Sequence, residues 1–467
     1  MNKNAVYLIG IGGIGMSALA RYYRHCGLFV AGYDKTKSTL AQELENEGMF
    51  IHYADDVSLI PEICKNAENT LVVYTPAVPK EHSELNYFLS NGFNIVKRSE
   101  ALGLIAGNKH TFAVAGTHGK TTVSTLLAHI LTVAGNGCNA FLGGISKNYN
   151  SNLLLSNSEN LVVEADEFDR SFLQLFPNAA VVTATDADHL DIYGNVEEMR
   201  KAFAKFVSQI KPKGTLIVKK GIEIELPKTG INIYTYSYDE PCDFYASNIK
   251  LHDDGYYGFD IHLPNLIISD CKLGVPGRIN IENAVAATAL AWTSGAGMQY
   301  KLRDALASFA GVKRRMDVQI NTPKLTYIDD YAHHPEELRA TIMSIKNMFA
   351  GRKITAIFQP HLYTRTRDFA EGFAKSLSLA DELILLDIYP ARELPISGIT
   401  SKIIFDGVQC GEKILCEKNE LLNIVEKKQF DVVITLGAGD IDLFVEPITE
   451  ILNKKLNSQY QNINRNE

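Results

Sequence analysis

Short apolar runs alternate with amphipathic segments along almost the whole chain. The runs have the length of β-strands, and the segments between them space their apolar residues as helices do. This alternation is typical of parallel sheets covered by helices. Strands are predicted at 5–9, 29–33, 70–74, 111–115, 161–164, 180–183, 214–218, 326–329, 353–358, 382–387 and 431–436.

The pattern predicts three α/β units, because 467 residues exceed what one hydrophobic core usually serves. The first unit should end near residues 106–108. The second should contain a tyrosine-rich β insertion at about 231–273 and close with a helix at about 280–293. The third should hold the last four predicted strands.

Composition and charge narrow the class of protein. Hydrophobic residues make up 46% and charged residues 21% of the chain, as in a soluble globular protein. The net charge of −8 disfavours nucleic acid and anionic membranes as main partners. No apolar run reaches the roughly 18 residues of a membrane-spanning helix, and the first residues lack a signal-peptide pattern. The seven cysteines form no C-x-x-C pair, which favours reduced thiols in a cytoplasmic protein.

A glycine loop that carries a lysine lies between a predicted strand and a predicted helix. After the strand at 111–115 comes Gly116-Thr117-His118-Gly119-Lys120-Thr121-Thr122, and a helical pattern follows at 123–131. Backbone N–H groups of such a loop point at phosphate oxygens, the lysine adds charge near the outer phosphates, and the Thr121 hydroxyl can hold Mg²⁺. The loop is a shortened variant, because Val114 stands where the full P-loop has its first glycine. We expect a nucleoside triphosphate site here.

A second glycine turn lies at the start of the chain. After the first strand the sequence reads Gly10-Ile11-Gly12-Gly13-Ile14-Gly15, and Asp34 ends the next strand. This is the G-x-G-x-x-G pattern with a downstream acid, whose glycines let the backbone approach a pyrophosphate. NAD is the usual ligand of that pattern. A sugar nucleotide is the alternative, because no obvious hydride-transfer site follows and the chain has a separate triphosphate loop.

Polar residues follow two predicted strands of the second unit. The acids at 164, 166, 167 and 169 end one strand, and His189 follows the next. Carboxylates at the carboxyl end of a parallel strand should lie beside the phosphate loop, where Mg²⁺ needs oxygen ligands. His189 is a candidate for metal or phosphate contact.

Further polar clusters begin the helix at 280 and end two strands of the third unit. Asn280 is either a helix cap or an adenine contact. The basic cluster at 313–315 is either a solvated charge run or a source of a guanidinium that reaches the γ-phosphate when domains close. Aspartate, paired histidines and arginines at 329–335 and 359–367 should form a wall that faces an anionic substrate.

Taken together, these blocks resemble the Mur ligases of bacterial cell-wall synthesis. The resemblance runs through GIGGIGMS, AGTHGKTT, EADEFDRSF, DHLDIY, GRINIENA, GVKRRMD, DDYAHHP, FQPHLYTRTR and LDIYPAREL, and so covers nearly the whole chain. It implies an α/β protein of three domains. These are a Rossmann-like domain for the UDP-sugar at 1–107, a central P-loop-type ATPase domain with a mostly parallel sheet at 108–315, and a C-terminal Rossmann-like domain at 316–467 that contributes to the amino-acid and ATP sites.

The match is best to the branch of the family that joins L-alanine to UDP-N-acetylmuramate in peptidoglycan precursor synthesis. For that branch the resemblance implies ATP and Mg²⁺ and an acyl phosphate on the lactyl carboxylate. The sequence does not determine the oligomeric state, and a homo-oligomer is among the states left open. Two alternatives remain. One is a recycling ligase that attaches a ready-made peptide to the same sugar nucleotide; the other, more remote, is an NAD-dependent oxidoreductase.

The resemblance also implies roles for individual residues, with Leu362 departing from the arginine usual in its motif. Implied catalytic residues are Lys120, Glu164, His189, Arg314 and His334. The sequence does not identify the base that deprotonates the amine, and His334 is a candidate because the ordinary pKa of histidine lies near neutrality. Implied magnesium ligands are Thr121, Glu164 and His189. Implied ATP contacts are Gly116, Thr117, His118, Gly119, Lys120, Thr121, Thr122, Asn280, Asn283, Arg314, Arg315, Asp329 and Asp330. Implied UDP-sugar contacts are Gly10, Gly12, Gly13, Ile14, Gly15, Asp34, Thr75, Pro76 and Ala77. The implied muramoyl and alanine pocket has His334, His361 and Arg365.

Overall fold

A computed structural model describes residues 3–186, 190–227, 229–252, 255–295, 298–391 and 393–463. The chain is an α/β protein with three sheets, of five, ten and six strands, which confirms the predicted fold class. It packs as two compact units. One consists of Met1–Lys250, Gly258–Gly274 and Asn280–Ala310, and the other of Leu251–Tyr257, Val275–Ile279 and Gly311–Glu467. The domain boundaries at 107/108 and 315/316 stay a prediction.

The first sheet has the strand order β3-β2-β1-β4-β5, and all its strands are parallel. The three strands predicted here are confirmed, whereas the two edge strands were missed because they are short and partly exposed. The strands are β1 Ala5–Ile9, β2 Phe29–Tyr33, β3 Phe50–His52, β4 Thr70–Tyr74 and β5 Asn94–Lys97. The helices are α1 Ile14–His25, α2 Thr39–Asn46, α3 Ser83–Ser90 and α4 Arg98–Gly107.

The second sheet has the order β15-β14-β13-β12-β11-β10-β6-β9-β7-β8. It is parallel from β13 through β7, and β8 and β15 pair antiparallel with their neighbours. The strands are β6 His110–Ala115, β7 Asn139–Ser146, β8 Ser151–Leu154, β9 Asn160–Ala165, β10 Ala179–Val182, β11 Thr215–Lys219, β12 Asn232–Ser237, β13 Phe244–Leu251, β14 Tyr257–Leu263 and β15 Leu266–Lys272. The helices are α5 Lys120–Val133, α6 Leu190–Tyr193, α7 Val196–Ser208, α8 Ile279–Trp292 and α9 Met298–Ser308.

Several features of this sheet differ from the prediction. Strands β7 and β8 were not predicted. The strand predicted to reach Thr183 ends one residue earlier, at Val182. The helix predicted to close the unit is followed by α9, which packs against α5.

The first two sheets share one hydrophobic core. Helix α1 of the first sheet packs against β7 and β8 of the second, and buried apolar residues of both sheets form one cluster. The Asn152 side chain on β8 donates to the carbonyl oxygen of Ile14 and, at 3.0 Å, to the Ser17 hydroxyl. The glycine turn that opens α1 is therefore held in a fixed place against the second sheet.

The third sheet has the order β16-β17-β21-β18-β19-β20, and only the β16–β17 pair is antiparallel. Because β17, β21 and β18 are neighbours, the loops after their carboxyl ends meet. The strands are β16 Asp317–Asn321, β17 Thr326–Asp330, β18 Ile354–Phe358, β19 Glu382–Leu386, β20 Glu412–Cys416 and β21 Val432–Leu436. The helices are α10 Pro335–Met348, α11 Tyr363–Asp368, α12 Ala370–Leu377, α13 Lys402–Gly407, α14 Leu421–Lys427 and α15 Val445–Ile463. Over the described ranges of the chain, every helix is too short or too polar to cross a membrane.

Candidate active site

The glycine-lysine loop connects β6 to the N-terminus of α5, as predicted. Gly119 caps α5 with φ of +80°, a left-handed conformation that L side chains rarely adopt. A Cβ at this position would also lie 2.8 Å from Oδ1 of Asn283. Since glycine has no side chain to bond the first N–H groups of the helix, those donors are available to an anion. The Thr117 hydroxyl accepts from the backbone of Asp186 at 3.3 Å, and His118 is exposed.

Lys120 forms a buried ion pair with Glu167. Its ammonium lies 2.7 Å from Oε2 and 2.8 Å from Oε1 of Glu167, and it donates to the carbonyl oxygen of Gly116 at 2.8 Å. The Lys120 side chain is 13% exposed and that of Glu167 is fully buried. Burial alone lowers the pKa of Lys120, but the facing carboxylates, Glu167 foremost, more than offset this and raise the pKa. The lysine is therefore a cation held at the loop.

Thr121 and Glu164, two of the predicted magnesium ligands, place two oxygens next to each other. The Thr121 hydroxyl donates to Oε1 of Glu164 at 3.1 Å, while Oε2 accepts from the backbone N–H of Gly143 at 3.1 Å. Two oxygens bound to Mg²⁺ at about 2.1 Å and at right angles lie about 3 Å apart, so the pair fits this ion. The described residues contain no group of three or more His, Cys, Asp or Glu able to hold a metal, and Mg²⁺ often takes few protein ligands beside phosphate. His189 lies outside the described residues.

The first glycine turn brings together most of the predicted UDP-sugar residues. The Gly12 N–H donates to Oδ2 of Asp34 at 2.8 Å, and the Thr36 N–H donates to Oδ1 at 2.9 Å. Both oxygens of Asp34 therefore hold the turn itself. The Thr75 methyl group, in the Thr75-Pro76-Ala77 turn after β4, would lie 2.6 Å from a Cβ at Gly10. Gly13 caps α1 and leaves that helix N-terminus, with Ile14 and Gly15, open to an anion.

A cleft of about 140 Å³ runs from the start of α1 to Glu164, one of the two candidate magnesium ligands. At one end it is lined by Gly15 and Arg98, and at the other by Gly143, Glu164 and Asp166. The Arg98 guanidinium lies 3.5 Å from Asp166, and a Cβ at Gly15 would lie 2.6 Å from it. A larger residue at position 15 would displace the end of the Arg98 side chain from the start of α1. The cleft thus joins the start of α1 to Glu164, whose Oε1 accepts from the Thr121 hydroxyl beside the phosphate loop.

Two predicted adenine contacts lie together on α8. Asn280 and Asn283 are both buried, and Nδ2 of Asn283 donates to Oδ1 of Asn280 at 3.0 Å. Asn283 also contacts the phosphate loop at Gly119. The structure therefore places both amides beside the predicted triphosphate site.

In the compact unit that contains the third sheet, Arg314 is held by acidic side chains and backbone carbonyl groups. Its Nε donates to Oδ2 of Asp329 at 3.2 Å, and its Nη2 donates to the carbonyl oxygen of Gly437. Burial raises the pKa of Asp329 to about 6 despite the neighbouring guanidinium. Asp330 accepts from the backbone N–H groups of Met316, at 2.7 Å, and Ala332, at 2.9 Å. These two aspartates, at the end of β17, therefore hold the loop before β16 that contains Arg314. The Arg315 side chain is exposed.

Two histidines of the predicted substrate wall lie close together, and the binding of a substrate there stays a prediction. The ring of His333 lies 6.1 Å from that of His361, whereas the ring of His334 packs against Phe369 at 4.9 Å. Burial lowers the pKa of His333. Arg365 is half-buried on α11, one turn after Leu362. His333 is thus the histidine beside His361, a position that the sequence could not separate from that of its neighbour.

Two further site residues were not singled out from the sequence. Arg98 stands at the start of α4, and no motif reports that this helix reaches the cleft. Glu167 was noted only as one of four acids after β9, and its burial against Lys120 could not be read from their order. The signal in the sequence was that a phosphate-loop lysine near several acids should pair with one of them.

Three family models cover most of the chain. The Mur ligase family catalytic domain matches residues 5–110, the Mur ligase middle domain matches 114–291, and the Mur ligase glutamate ligase domain matches 314–439. Each match contains one of the clusters described above.

Similar proteins match over their full length. A UDP-N-acetylmuramate–L-alanine ligase of Parabacteroides distasonis is 55% identical, over 98% of this chain and 99% of that protein. The protein of the same name from Porphyromonas gingivalis is 50% identical over 96% and 98%. The crystal structure of the UDP-N-acetylmuramate–alanine ligase of Thermotoga maritima has a TM-score of 0.81 at 28% identity, covering 97% of this chain and 99% of that one. A murein peptide ligase of Psychrobacter arcticus shares the fold, with a TM-score of 0.68, 23% identity and coverage of 96% and 98%. The resemblance seen in the sequence motifs is confirmed, and the chain belongs to the Mur ligase family.

Proposed function

We propose that this chain joins L-alanine to the lactyl carboxylate of UDP-N-acetylmuramate, with conversion of ATP to ADP and phosphate. The observation that carries the proposal is the cleft that runs from the start of α1, after the first glycine turn, to Glu164, which bonds Thr121 beside the phosphate loop. A sugar nucleotide whose diphosphate lies at Gly12–Gly15 would extend its sugar along this cleft toward Glu164 and Lys120. The names of relatives that match nearly the whole chain support the same reaction.

The chemistry requires that a carboxylate be made reactive. An oxygen of the lactyl carboxylate attacks the γ-phosphorus of ATP, the bond to the β-phosphate oxygen breaks, and ADP leaves. The amine of L-alanine, after losing a proton, attacks the carbonyl carbon of the acyl phosphate. The tetrahedral intermediate collapses to an amide and releases inorganic phosphate. Several anions meet in this sequence, so cations must stabilise the developing charge.

Residues of the compact unit that contains the first two sheets would supply most of that stabilisation. Lys120 and the N-terminal N–H groups of α5 would bind the outer phosphates, and Asn280 and Asn283 would bind the adenine. Thr121 and Glu164 would hold Mg²⁺, which supplies charge neutralisation and orientation of the phosphates when bound. Arg98 would contact the sugar nucleotide beside Gly15, a role supported by its place at that end of the cleft.

Residues of the compact unit that contains the third sheet would complete the reaction. His361, Arg365 and His333 or His334 would bind the alanine and the muramoyl group, and Arg314 would serve the nucleotide, with the domains divided at 107/108 and 315/316. One of the two histidines would take the proton from the ammonium group of alanine; the lowered pKa of His333 keeps it neutral and able to accept one at pH 7. A cytoplasmic location is proposed, because UDP-sugars and ATP are cytoplasmic metabolites.

The test is ATP-dependent phosphate release by the purified protein with UDP-N-acetylmuramate and one amine at a time. Release that requires L-alanine, with the alanyl product identified by mass, supports the proposal. Release only with a tripeptide identifies a recycling ligase instead. Reduction of NAD without use of ATP would reject both ligases. The control is the same mixture without the sugar nucleotide, which should release no phosphate above background.

A further inference from the structure

Each of three acids at the end of β9 and directly after it has its own partner. Glu164 bonds Thr121 and the Gly143 N–H, and Asp166 pairs with Arg98. Glu167 pairs with Lys120. The first two partners belong to the magnesium ligands and the sugar-nucleotide end of the cleft. The third contact has no place in the proposed reaction, because a carboxylate beside Lys120 neutralises the charge that should meet the phosphates.

The geometry of the ammonium resolves this difficulty. A lysine ammonium has three N–H donors. One is directed to the carbonyl oxygen of Gly116 and one to the Glu167 carboxylate, at 2.8 Å each. Oε2 of the same carboxylate lies 2.7 Å from the ammonium without the alignment of a hydrogen bond, and no other group in the described part of the chain accepts from the ammonium. With two donors fixed by neighbours at the base of the loop, the direction of the third is also fixed.

Glu167 is well placed to fix that direction. Its carboxylate is fully buried, so it cannot turn to solvent. Its own backbone is anchored as well, because the Tyr193 hydroxyl donates to the Glu167 carbonyl oxygen at 2.6 Å. By contrast, a lysine side chain that is free in solution samples many rotamers and loses this entropy on binding an anion.

We propose that Glu167 is a positioning residue for the triphosphate: it holds the Lys120 ammonium extended along the loop, with one N–H left for an outer phosphate oxygen. This inference deepens the proposed function, since it concerns how that reaction's ATP is bound. The pair acts as a preorganised donor whose ordering takes place during folding and not during nucleotide binding. Removing the carboxylate should therefore weaken the hold on the outer phosphates alone.

The experiment measures dissociation constants of a non-hydrolysable ATP analogue with Mg²⁺, of AMP and of UDP-N-acetylmuramate by titration calorimetry. Glu167→Gln should raise the constant for the ATP analogue roughly 10- to 100-fold, the range for a lost hydrogen bond to a charged group. The constants for AMP, which lacks outer phosphates, and for the sugar nucleotide should change less than about twofold. In a Lys120→Ala background, adding Glu167→Gln should also change the constant for the ATP analogue less than about twofold.

Glu84→Gln is the matched control, because Glu84 is also fully buried and lies in the first sheet's layer, away from the phosphate loop. It should leave binding of the ATP analogue unchanged. Should Glu167→Gln not fold, Glu167→Asp retains the charge but shortens the side chain, and roughly a 3- to 10-fold weaker binding of the analogue is expected.

Three results would overturn the inference. They are equal losses for AMP and the ATP analogue, a full effect of Glu167→Gln without Lys120, and tighter binding of the analogue. None of them depends on which amine is ligated. A wild-type protein that binds the ATP analogue but does not use L-alanine would reject the proposed function and leave this inference standing.

Discussion

Glu84 and Glu167 are both fully buried glutamates of the first compact unit, yet their surroundings differ. Glu167 faces a lysine ammonium at 2.7 Å. Glu84 accepts from the Tyr7 hydroxyl at 2.6 Å and from the Asp56 N–H at 3.2 Å, and it lies 3.4 Å from the His52 ring. One carboxylate thus has a cation as its partner, and the other has mainly neutral donors.

The difference separates a functional buried charge from a structural one. Without a cation, burial raises the pKa of Glu84 from 4.5 to about 7, so that it is largely protonated below neutral pH. Burial also raises the pKa of Glu167, but Lys120 acts against this rise and forms an ion pair with the carboxylate, and that cation is the one proposed to bind the nucleotide. A buried carboxylate can stay charged where a cation pairs with it. A buried carboxyl group without a cation is more stable in its protonated, neutral form.

The largest effect is expected when the cation of the charged pair is removed. Lys120→Ala should lower the turnover number about 100- to 1000-fold, because a donor to the outer phosphates is lost. It should also lower the free energy of unfolding by about 3–5 kcal/mol, because Glu167 is left buried without its partner. Steady-state kinetics and urea unfolding measure the two effects. The dissociation constant for UDP-N-acetylmuramate should change less than about twofold. Loss of this binding would contradict the assignment of the two turns to separate ligands.

A smaller effect, visible as a pH dependence, is expected at the neutral carboxyl group. The folded pKa of Glu84 lies above its unfolded value, so the folded state holds an extra proton between pH 4.5 and about 7. Its contribution to stability, about 3 kcal/mol, is complete below pH 4.5 and is lost as the pH rises through 7. Relative to Glu84→Gln, the wild type should therefore lose stability over this range in urea unfolding at several pH values. A difference that grows with pH would mean that Glu84 is held as a charged group.

The smallest effect is expected when the neutral partner is removed. Tyr7→Phe deletes one hydrogen bond to Glu84 and should lower the free energy of unfolding by about 1 kcal/mol at pH 6. Because that hydrogen bond lowers the pKa of Glu84, its loss should move the pH-dependent range upward. Binding of the ATP analogue should not change. If Tyr7→Phe were as costly as Lys120→Ala, the contrast between the two glutamates would be wrong.

Much of this protein was determined by local sequence. The strands at 5–9, 29–33 and 70–74 have the predicted bounds, because buried parallel strands are continuous apolar runs. The phosphate loop was equally readable, since its glycine and lysine spacing reflects backbone conformation and charge at one helix N-terminus. The adjacency of Thr121 and Glu164 also followed, because the carboxyl ends of neighbouring parallel strands share an edge.

Only the tertiary structure decided which side chains become partners across the fold. Arg98 reaches the cleft because α4 packs beside the second sheet, and Glu167 rather than Asp166 meets Lys120 because the chain turns into a short helix after β9. The ring of His333 lies beside that of His361, whereas His334 caps the start of α10 and its ring packs against Phe369. Sequence spacing specifies backbone periodicity, whereas pairing between distant residues depends on packing directions that no local pattern encodes.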